Sequence, residues 1–481
     1  MNIAEHLKRL ENDLDLFDWR ESGAPVWELA RYSVALAAKR TRPAGDKASE
    51  QTTRKQGVSS ETISSMQTQP DNHSSIRRRV ERFRKRLTLA TKRNPLRGGR
   101  CDVVLFGHPR RKLENGRWID LYADPVASIL RKAYDVRFIE MDWIPHQKPE
   151  VSKDLRYIDG LRREARRFKG FDEFSTAGNA KLKALSDGLH EVGFEVDLST
   201  IVHKEIDRWC RWLPTYIALL EQLSPRAVVL VNSPHLKALV SAARQLGIPS
   251  IELQHGSPTV GKLNYDFPAD RSFETFPDFF FCFGTFWTEG SRLPLPPERM
   301  PSVGFQYLRD RVSLYPEAAD AERRIMTISQ PNCRAALAEL TLATARRTDG
   351  AFELLWKNHP VEEGMQDETA RELELAGVRI LPPSTDLYET IASAGTIIGG
   401  FSTALYESVA FGRRPQIVAT GYEDLMSELV TADAADLVRS ADELQFNQRP
   451  RPDVVESLFA TRSDAEFLEY FAKAIEQGAR L

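Results

Sequence analysis

The sequence contains few cysteines and no long apolar segment. Its 481 residues include four cysteines, Cys101, Cys210, Cys282 and Cys333, which are scattered without C-x-x-C spacing. This argues against a disulfide framework and a structural zinc site, and it fits a reducing cytosol. No run of about 18 apolar residues occurs, so we expect no transmembrane helix. The amphipathic first residues, M-N-I-A-E-H-L-K-R-L-E-N-D, do not form a signal-peptide pattern.

Several compact catalytic motifs are also missing. The sequence has no P-loop, no G-x-S-x-G nucleophile elbow and no H-E-x-x-H zinc motif. The formal net charge is only −2, so no global charge points to nucleic acid. With 42% hydrophobic and 28% charged residues, the composition is that of an ordinary globular protein. The function must therefore be sought in the order of the segments and in longer patterns.

The order of segments predicts an α/β fold in four regions. Buried β-branched runs such as C-D-V-V-L-F-G, A-V-V-L-V and R-I-M-T-I-S alternate with helical patterns, which predicts mainly parallel sheets. A proline cluster near Pro294–Pro301 marks a domain boundary. We expect an N-terminal helical segment at 1–40, a disordered linker with a basic helix at 41–100, a Rossmann-like domain with a helical insertion at 101–296, and a second Rossmann-like domain with terminal helices at 297–481.

Residues 76–100 form a basic segment with an apolar stripe. Residues 75–100 hold 11 Arg or Lys against one Glu, and Ile76, Val80, Phe83 and Leu87 fall on one helix face. This composition is typical of a helix that lies on an anionic membrane surface. Docking of the stripe on the protein itself is an equal alternative, and nucleic-acid binding is a weaker one.

The stretch 394–418 predicts an anion site in the second domain. A strand at Thr396–Ile398 leads to Gly399 and Gly400, and then to a helix that Ser402 and Thr403 open. Backbone N–H groups and the positive end of the helix dipole favour an anion there. Glu407, farther along the helix, could reach a ribose. The alternative is that Ser402 is an N-cap and Glu407 a solvated helix residue.

Polar residues also follow the predicted strands of the first domain. His108, Arg110 and Arg111 follow the strand C-D-V-V-L-F-G, and Gln254-His255-Gly256 follows a later strand. The segment W-I-D-L-Y-A-D-P is expected to place Asp120, Tyr122 and Asp124 in a loop, with Pro125 opening a helix. Ligands of open α/β sheets bind at the carboxyl ends of the strands.

Five motifs in order resemble those of bacterial capsule and lipopolysaccharide glycosyltransferases of the GT-B fold. They are I-E-L-Q-H-G at 251–256, P-D-F-F-F-C-F-G-T-F-W at 277–287, V-G-F-Q-Y-L at 303–308, K-N-H-P at 357–360 and G-F-S-T-A-L-Y-E-S at 400–408. The segment at 118–125 is similar to their first-domain loop. The His-Pro and Ser-Ser/Thr pair is also shared with bacterial sialyltransferases, Kdo transferases and polyol-phosphate polymerases. The resemblance spans roughly residues 100–420 and implies two Rossmann-like domains facing across a cleft.

The resemblance also implies roles for individual residues. The donor phosphate would be held by His359, Ser402 and Thr403, with Lys357, Pro360 and Gly400 beside them, and Glu407 would bind the ribose. Such a site uses neutral and cationic donors, so we expect no metal ion. His255 corresponds to the histidine thought to be the base in the polymerases, with Asp124 or Asp120 as the carboxylate. Glu252 is a further candidate of the first domain, with the alternative that strand alternation turns it into the fold. Arg110 and Arg111 would pair with an acidic acceptor or be solvated.

The sequence thus predicts a metal-independent glycosyltransferase of surface polysaccharide assembly. We expect a nucleotide-sugar donor, with CMP-linked Kdo or sialic acid preferred, and no other cofactor. The acceptor would be a polysaccharide or glycolipid, and the protein would be cytoplasmic, peripheral on the inner face of the membrane, without nucleic acid. The alternatives are a CDP-polyol phosphotransferase of the teichoic-acid type and a non-catalytic scaffold of an export complex. A nucleotide-sugar epimerase is a weaker rival.

Overall fold

The computed structural model describes residues 3–41, 94–109, 111–114, 116–141, 155–258, 262–268, 271–362, 367–382 and 384–478. The predicted linker, most of the basic segment and Arg110 lie outside these residues. The chain divides into two compact units. The first contains Met1–Cys282, Trp287–Val303 and Arg462–Leu481, and the second contains Phe283–Phe286 and Gly304–Thr461. The chain was expected to divide once, at residue 296. It instead passes to the second unit at Gly304 and returns to the first unit at Arg462.

The N-terminal segment forms two helices that are part of the first unit. Helix α1 spans Ile3–Asp13 and helix α2 spans Val26–Thr41, with a short antiparallel pair of strands, β1 (Arg20–Glu21) and β2 (Ala24–Pro25), between them. Trp19, Trp27 and Leu29 are buried in the same apolar cluster as side chains of the first sheet. These side chains therefore make the predicted N-terminal helical segment part of the core of the first unit.

The first sheet is parallel and has the strand order of a Rossmann fold. The structure describes its strands as β3 (Val103–Phe106), β6 (Val136–Glu140), β7 (Leu155–Tyr157), β8 (Ala227–Val231), β9 (Ser250–Leu253) and β10 (Phe279–Phe281). Their spatial order is β10-β9-β8-β3-β6-β7. Counted within the sheet this is 6-5-4-1-2-3, which places the reversal of strand order between β3 and β8. Every residue of β3, β8 and β9 is buried, as expected for strands covered on both faces.

Helices of the first unit cover this sheet and form the predicted helical insertion. They are α3 (Ala123–Leu130), α4 (Asp159–Ala165), α5 (Thr176–Glu191), α6 (Leu198–Leu223) and α7 (Lys237–Gln245). Ser175 caps α5 and Asp197 caps α6, each by accepting a hydrogen bond from a backbone N–H in the first turn. Helix α6, which contains Trp209, is the longest of these five helices.

Strands β4 (Arg111–Glu114) and β5 (Arg117–Asp120) form an antiparallel hairpin, where the sequence analysis expected a loop. The expectation of a loop at Asp120 was therefore wrong. Asn115-Gly116 between the two runs is a strong signal for a two-residue hairpin turn, and Gly116 has the positive φ of 74° that such a turn requires. Asp124 lies in the first turn of α3 rather than in a loop.

The second unit repeats the same sheet topology. The structure describes its parallel strands as β11 (Arg324–Ile328), β12 (Glu353–Lys357), β13 (Arg379–Leu381), β14 (Thr396–Gly399), β15 (Gln416–Val418) and β16 (Asp436–Val438). Their order, β13-β12-β11-β14-β15-β16, is 3-2-1-4-5-6 within the sheet. The predicted α/β fold with two Rossmann-like domains and a helical N-terminal extension is confirmed.

Helices of the second unit alternate with these strands. They are α8 (Gln306–Leu314), α9 (Arg334–Thr348), α10 (Glu368–Leu375), α11 (Leu387–Ser393), α12 (Thr403–Ala410), α13 (Ser427–Thr431) and α14 (Pro452–Leu458). The reversal of strand order in this sheet falls between β11 and β14. Ligands of this fold bind at that point, outside the carboxyl ends of the strands.

The C-terminal helix α15 (Asp464–Gly478) packs on the first sheet. Phe467 is fully buried with its ring 5.8 Å from the ring of Phe281 in β10, and the Phe471 ring lies 5.2 Å from that of Tyr134. The predicted terminal helices are therefore present, and α15 completes the core of the first unit.

We predict that Phe467→Ala lowers the free energy of unfolding of the protein by about 3–5 kcal/mol, because it leaves a cavity beneath the sheet. Glu469→Ala is the matched control, since Glu469 is exposed on the same helix, and its effect should stay within about 0.5 kcal/mol. Urea denaturation measures both. Equal stability of the two variants would contradict the packing of α15 on the sheet.

Candidate functional site

His255 lies in a cluster of rings beyond the carboxyl ends of the strands in the first sheet. It follows β9, and its ring centroid is 5.4 Å from that of His108, which follows β3. The rings of Tyr122 and Tyr265 each lie 6.2 Å from His255. The parallel sheet brings together residues that are more than 140 positions apart in the sequence, and it places them near the reversal of strand order.

The environment of His255 keeps its imidazole neutral. Burial lowers the pKa of His255 to about 4, and the nearby His235 and Lys262 lower it further. The Nδ1 atom is buried, has no hydrogen-bond partner among the described residues, and lies 3.9 Å from Glu252 Oε1. A neutral imidazole at pH 7 has one nitrogen that can accept a proton. The arrangement is chemically suited to a general base.

Glu252 is fully buried behind His255. Its Oε1 accepts hydrogen bonds from the Tyr265 hydroxyl at 2.7 Å and from the Ser233 backbone N–H at 3.1 Å. Burial raises the pKa of this carboxyl. Sequence alternation indicated that Glu252 points into the fold, but no sequence signal identified Tyr265 or Ser233 as its partners.

Asp120 is a buried carboxylate that organises the chain around it. One oxygen accepts the backbone N–H of His108, and the other accepts the N–H groups of Tyr122 and Ala123 at 3.0 Å each. Burial raises the pKa of Asp120 to about 7, and the charge of Asp124 adds to this effect. Because backbone groups occupy both oxygens, the geometry favours a structural role that joins the end of β3 to the start of α3.

Asp124 is half-buried and supports Asp120. Its Oδ2 accepts the backbone N–H of Asp120 at 2.9 Å, and its Oδ1 lies 3.8 Å from Arg117. Burial raises the pKa of Asp124. Neither aspartate is in contact with His255 among the described interactions, so the structure does not group these predicted catalytic carboxylates with the base; the carboxylate beside His255 is Glu252.

Arg111 is buried in an ion pair with Glu140, at 2.5 Å, and it also donates to the carbonyl of Met141. Its side chain is only 4% exposed. This arrangement does not fit the expectation that Arg111 meets an acidic acceptor or solvent, because its acidic partner is Glu140 of strand β6. Arg110, the other expected acceptor-binding residue, lies outside the described residues.

Ser402 and Thr403 begin helix α12 at the carboxyl edge of the second sheet. Ser402 Oγ accepts the backbone N–H of Ala404 at 3.3 Å, so Ser402 is an N-cap, and Thr403 is exposed. A Cβ at Gly400 would lie 2.6 Å from Cys333 Sγ, and one at Gly399 would lie 2.8 Å from the Leu405 side chain. The two glycines therefore accommodate neighbouring side chains of the protein itself.

His359 follows β12 at the same edge. Its Nδ1 accepts the backbone N–H of Val361 at 3.3 Å, so the neutral ring carries its proton on Nε2. Partial burial lowers the pKa of His359. Pro360, which is exposed, begins a short 3-10 turn that ends at Glu362, whose carboxylate accepts the N–H of His359 at 2.8 Å.

Lys357 is the last residue of strand β12, so the alternation of side chains along the strand does not extend to His359. Lys357 Nζ donates to the carbonyl of Pro382, at 3.1 Å, just beyond β13. The structure therefore places Lys357 toward the outer side of the sheet.

Glu407 lies on α12, and its Oε2 accepts the Tyr388 hydroxyl at 3.0 Å. Tyr388 belongs to α11, the helix that precedes β14. Between His359 and Ser402 lies the end of β11, where Gln330 donates to the carbonyl of Phe401 at 2.8 Å. Tyr388 and Gln330 were not among the residues predicted for this site, although Gln330 follows a predicted strand and lies at a strand end as His359 does.

No group of three or more His, Cys, Asp or Glu residues in the part of the chain that the structure describes is arranged to hold a metal ion. Among the helices in the described ranges, none is both long enough and apolar enough to span a bilayer.

No protein-family model matches the chain, and no curated protein is significantly similar to it. Solved structures are similar at low identity. The UDP-GlcNAc 2-epimerase of Methanocaldococcus jannaschii is 12% identical, with 77% of this chain and 99% of that one covered and a TM-score of 0.43. The UDP-GlcNAc 2-epimerase of Neisseria meningitidis, solved with UDP-GlcNAc, is 13% identical, with 78% of this chain and 93% of that one covered and a TM-score of 0.41. MurG of Acinetobacter baumannii is 14% identical, with 79% of this chain and 93% of that one covered and a TM-score of 0.35. Identities and TM-scores this low carry no argument about activity.

We predict that Arg111→Met lowers the free energy of unfolding by about 3–5 kcal/mol, because it removes the cation from a buried carboxylate. Arg111→Met combined with Glu140→Gln should recover most of that loss. Chemical denaturation of wild type, single and double variants measures both effects. A loss below about 0.5 kcal/mol in Arg111→Met would restore the expectation that Arg111 is solvated.

We predict that His255 makes stability depend on pH between about 4 and 6.5. The folded pKa is about 4 and therefore lower than the unfolded value of about 6.5, so its contribution is complete above pH 6.5 and is lost as the pH falls. Between pH 7 and pH 4, the free energy of unfolding of His255→Gln should therefore rise relative to that of wild type by up to about 3 kcal/mol. Chemical denaturation of both proteins across this pH range tests the prediction. If the difference between their free energies of unfolding does not change with pH, the lowered pKa of His255 is contradicted.

Proposed function

We propose that the protein is a metal-independent, nucleotide-sugar-dependent glycosyltransferase. The observation that carries this proposal is the reversal of strand order in the second sheet, where Ser402 opens helix α12 and His359 turns to the same edge. This is the place where doubly wound sheets bind nucleotides. In this proposal the second unit binds the donor.

The second unit offers hydrogen-bond donors suited to the phosphates of a nucleotide. The backbone N–H groups in the first turn of α12 and the helix dipole favour an anion. His359 presents an Nε2–H because its Nδ1 is used by Val361. The strands before Ser402 and His359 are separated by β11, so the two residues lie roughly 10 Å apart across the edge, given a strand spacing of about 4.8 Å. A phosphate and the group attached to it can span this distance.

Glu407 is suited to the ribose of the nucleotide. It lies one helical turn beyond Thr403, so it is near the anion site but not part of it. The Tyr388 hydroxyl binds one carboxylate oxygen and orients the group. A carboxylate can accept hydrogen bonds from the hydroxyl groups of a ribose.

The first unit supplies the base for the acceptor. An acceptor hydroxyl gives its proton to His255 while its oxygen forms a bond to the anomeric carbon. The bond from that carbon to the donor phosphate breaks, and the electron pair leaves with the phosphate. General-base catalysis of this kind contributes about 10²–10⁴-fold. The neutral state of His255 at pH 7 supports this role.

We propose in addition that the donor is a CMP-linked acidic sugar of the Kdo or sialic acid class, by analogy with the His-Pro and Ser-Thr motif pair. The acceptor is a surface polysaccharide or a lipid-linked glycan, at the inner face of the cytoplasmic membrane. The basic segment 76–100 would provide the membrane contact, and a vesicle-binding assay of the full chain addresses that part.

We predict that one cytidine nucleotide stabilises the protein in a thermal-shift panel of CMP, CDP, UMP, UDP and GDP. A ligand at 100 times its dissociation constant adds about 2.7 kcal/mol when it binds only the folded state. The effect should survive EDTA and be lost in His359→Ala, which removes the Nε2–H donor. His190→Ala is the matched control, because His190 is exposed in the first unit.

The outcomes separate the alternatives. Stabilisation by UDP or GDP alone would overturn the CMP assignment and keep the nucleotide site. Loss of the effect in EDTA would overturn metal independence. No stabilisation by any nucleotide would overturn the transferase proposal and favour a non-catalytic scaffold. If CDP stabilises the protein, product analysis distinguishes sugar transfer from polyol-phosphate transfer.

A further inference from the structure

We propose that Glu252 is a positioning residue for His255, which holds the imidazole proton on Nδ1 and leaves the Nε2 lone pair to accept the proton of the acceptor. This inference rests on the proposed role of His255 as a base. The observation behind it is a pair of buried atoms that lack hydrogen-bond partners among the described residues, Glu252 Oε2 and His255 Nδ1. The distance of 3.9 Å joins His255 Nδ1 to Glu252 Oε1, the oxygen that also accepts hydrogen bonds from Tyr265 and Ser233.

The separation fits a pair that closes when the base is protonated. A distance of 3.9 Å is within ion-pair range but longer than a hydrogen bond. Catalytic hydrogen bonds are often long in structures without substrate and shorten in the reacting complex. Glu252 is therefore close enough to fix which nitrogen of His255 carries the proton, and a small movement of the ring would form a direct bond.

Glu252 is itself held rigidly. The Tyr265 hydroxyl and the Ser233 N–H both donate to Oε1. Arg31 of the N-terminal helix α2 donates to the carbonyls of Leu263 and Asp266, on both sides of Tyr265, at 2.6 and 2.5 Å. The N-terminal helices thus support the segment that holds the carboxylate. Sites of this kind depend on such supporting contacts for their geometry.

The two hydrogen bonds to Oε1 also bear on the charge of Glu252. Hydrogen bonds donated to a carboxylate favour its ionised form, although burial raises the pKa of Glu252. An ionised Glu252 draws the proton of the neutral imidazole to Nδ1. A protonated Glu252 would instead donate to Nδ1 and leave the proton on Nε2, where His255 could not act as a base through that nitrogen. The tautomer of His255 therefore distinguishes the two states.

The other groups around His255 are cationic, aromatic or neutral. His108, Tyr122 and Tyr265 contact its ring, and His235 and Lys262 act on it electrostatically. Among the described residues, Glu252 is the acidic group in ion-pair range. When His255 takes up the proton of the acceptor, Glu252 offsets the new positive charge in a buried site.

The test is the tautomer of His255, measured on the full chain with ¹⁵N-labelled histidine by imidazole ¹⁵N chemical shifts at pH 7. His255→Gln identifies the signal by its loss. We expect Nδ1–H in wild type and a shift of the proton toward Nε2 in Glu252→Gln. Tyr265→Phe, which removes one donor to the carboxylate, should shift the tautomer partly in the same direction and provides a second variant if Glu252→Gln does not fold.

Asp278→Asn is the matched control. Asp278 is also a buried acid of this sheet, but it binds Ser250 and Arg244 at the amino-terminal end of β9. It should leave the tautomer of His255 unchanged. An Nε2–H tautomer in wild type, or the same tautomer in wild type and Glu252→Gln, would overturn the proposal.

Activity provides an independent second measurement. Glu252→Gln should lower kcat for sugar transfer by about 10- to 100-fold and leave the thermal shift by the donor nucleotide unchanged, since the donor site is in the second unit. A tautomer shift without nucleotide binding by any variant would support the Glu252–His255 pairing while refuting the proposed function. A normal kcat in Glu252→Gln, with transfer observed in wild type, would overturn the positioning role.

Discussion

Parallel strand pairing is the constraint on which both candidate sites depend. In a parallel sheet every strand ends at the same edge, so residues distant in sequence meet wherever several strands end in polar groups. His108 and His255 meet in this way in the first unit. In the second unit, Gln330 and Phe401 are joined by a hydrogen bond at the same kind of edge. The order of strands decides which of these ends are neighbours, and both sheets have the order of a Rossmann fold.

Burial determines the charge state of the groups at these edges. Asp120 is buried and the side chain of His255 is 21% exposed, and the loss of hydration moves their pKa values in opposite directions, to about 4 for His255 and about 7 for Asp120. Each shift favours the neutral form, because a charge loses its hydration when it leaves water. Arg111 and Glu140 form a buried ion pair, in which each side chain offsets the charge of the other. The consequence of burial thus depends on whether a partner of opposite charge lies within hydrogen-bond distance.

The buried polar groups also connect the N-terminal helices to the candidate base. Arg31 pairs with Glu11 and binds the segment that contains Tyr265, and Tyr265 binds Glu252. A helical extension that looks separate in sequence is therefore part of the support of the first unit. Removing one partner from such a network leaves a buried group without compensation, which makes the geometry of each member depend on the others.

The sequence by itself determined the positions of most strands and helices, because β-branched runs and helix caps act over a few residues. The strands at 227–231 and 396–399, and the helix that Ser402 opens, lie where the pattern predicted them. It also identified His255 and His359 as residues at strand ends, while the hairpin at 111–120 was missed although its Asn-Gly signal was present.

Only the tertiary structure decided what each polar residue touches. Arg111 meets Glu140, Lys357 meets the carbonyl of Pro382, and Asp120 binds backbone groups. Partners of this kind come from other strands and helices, and burial depends on everything packed above a residue. Neither the partners nor the burial of a residue has a local pattern in the sequence, which is why Tyr265 became visible as the partner of Glu252 only in the folded chain.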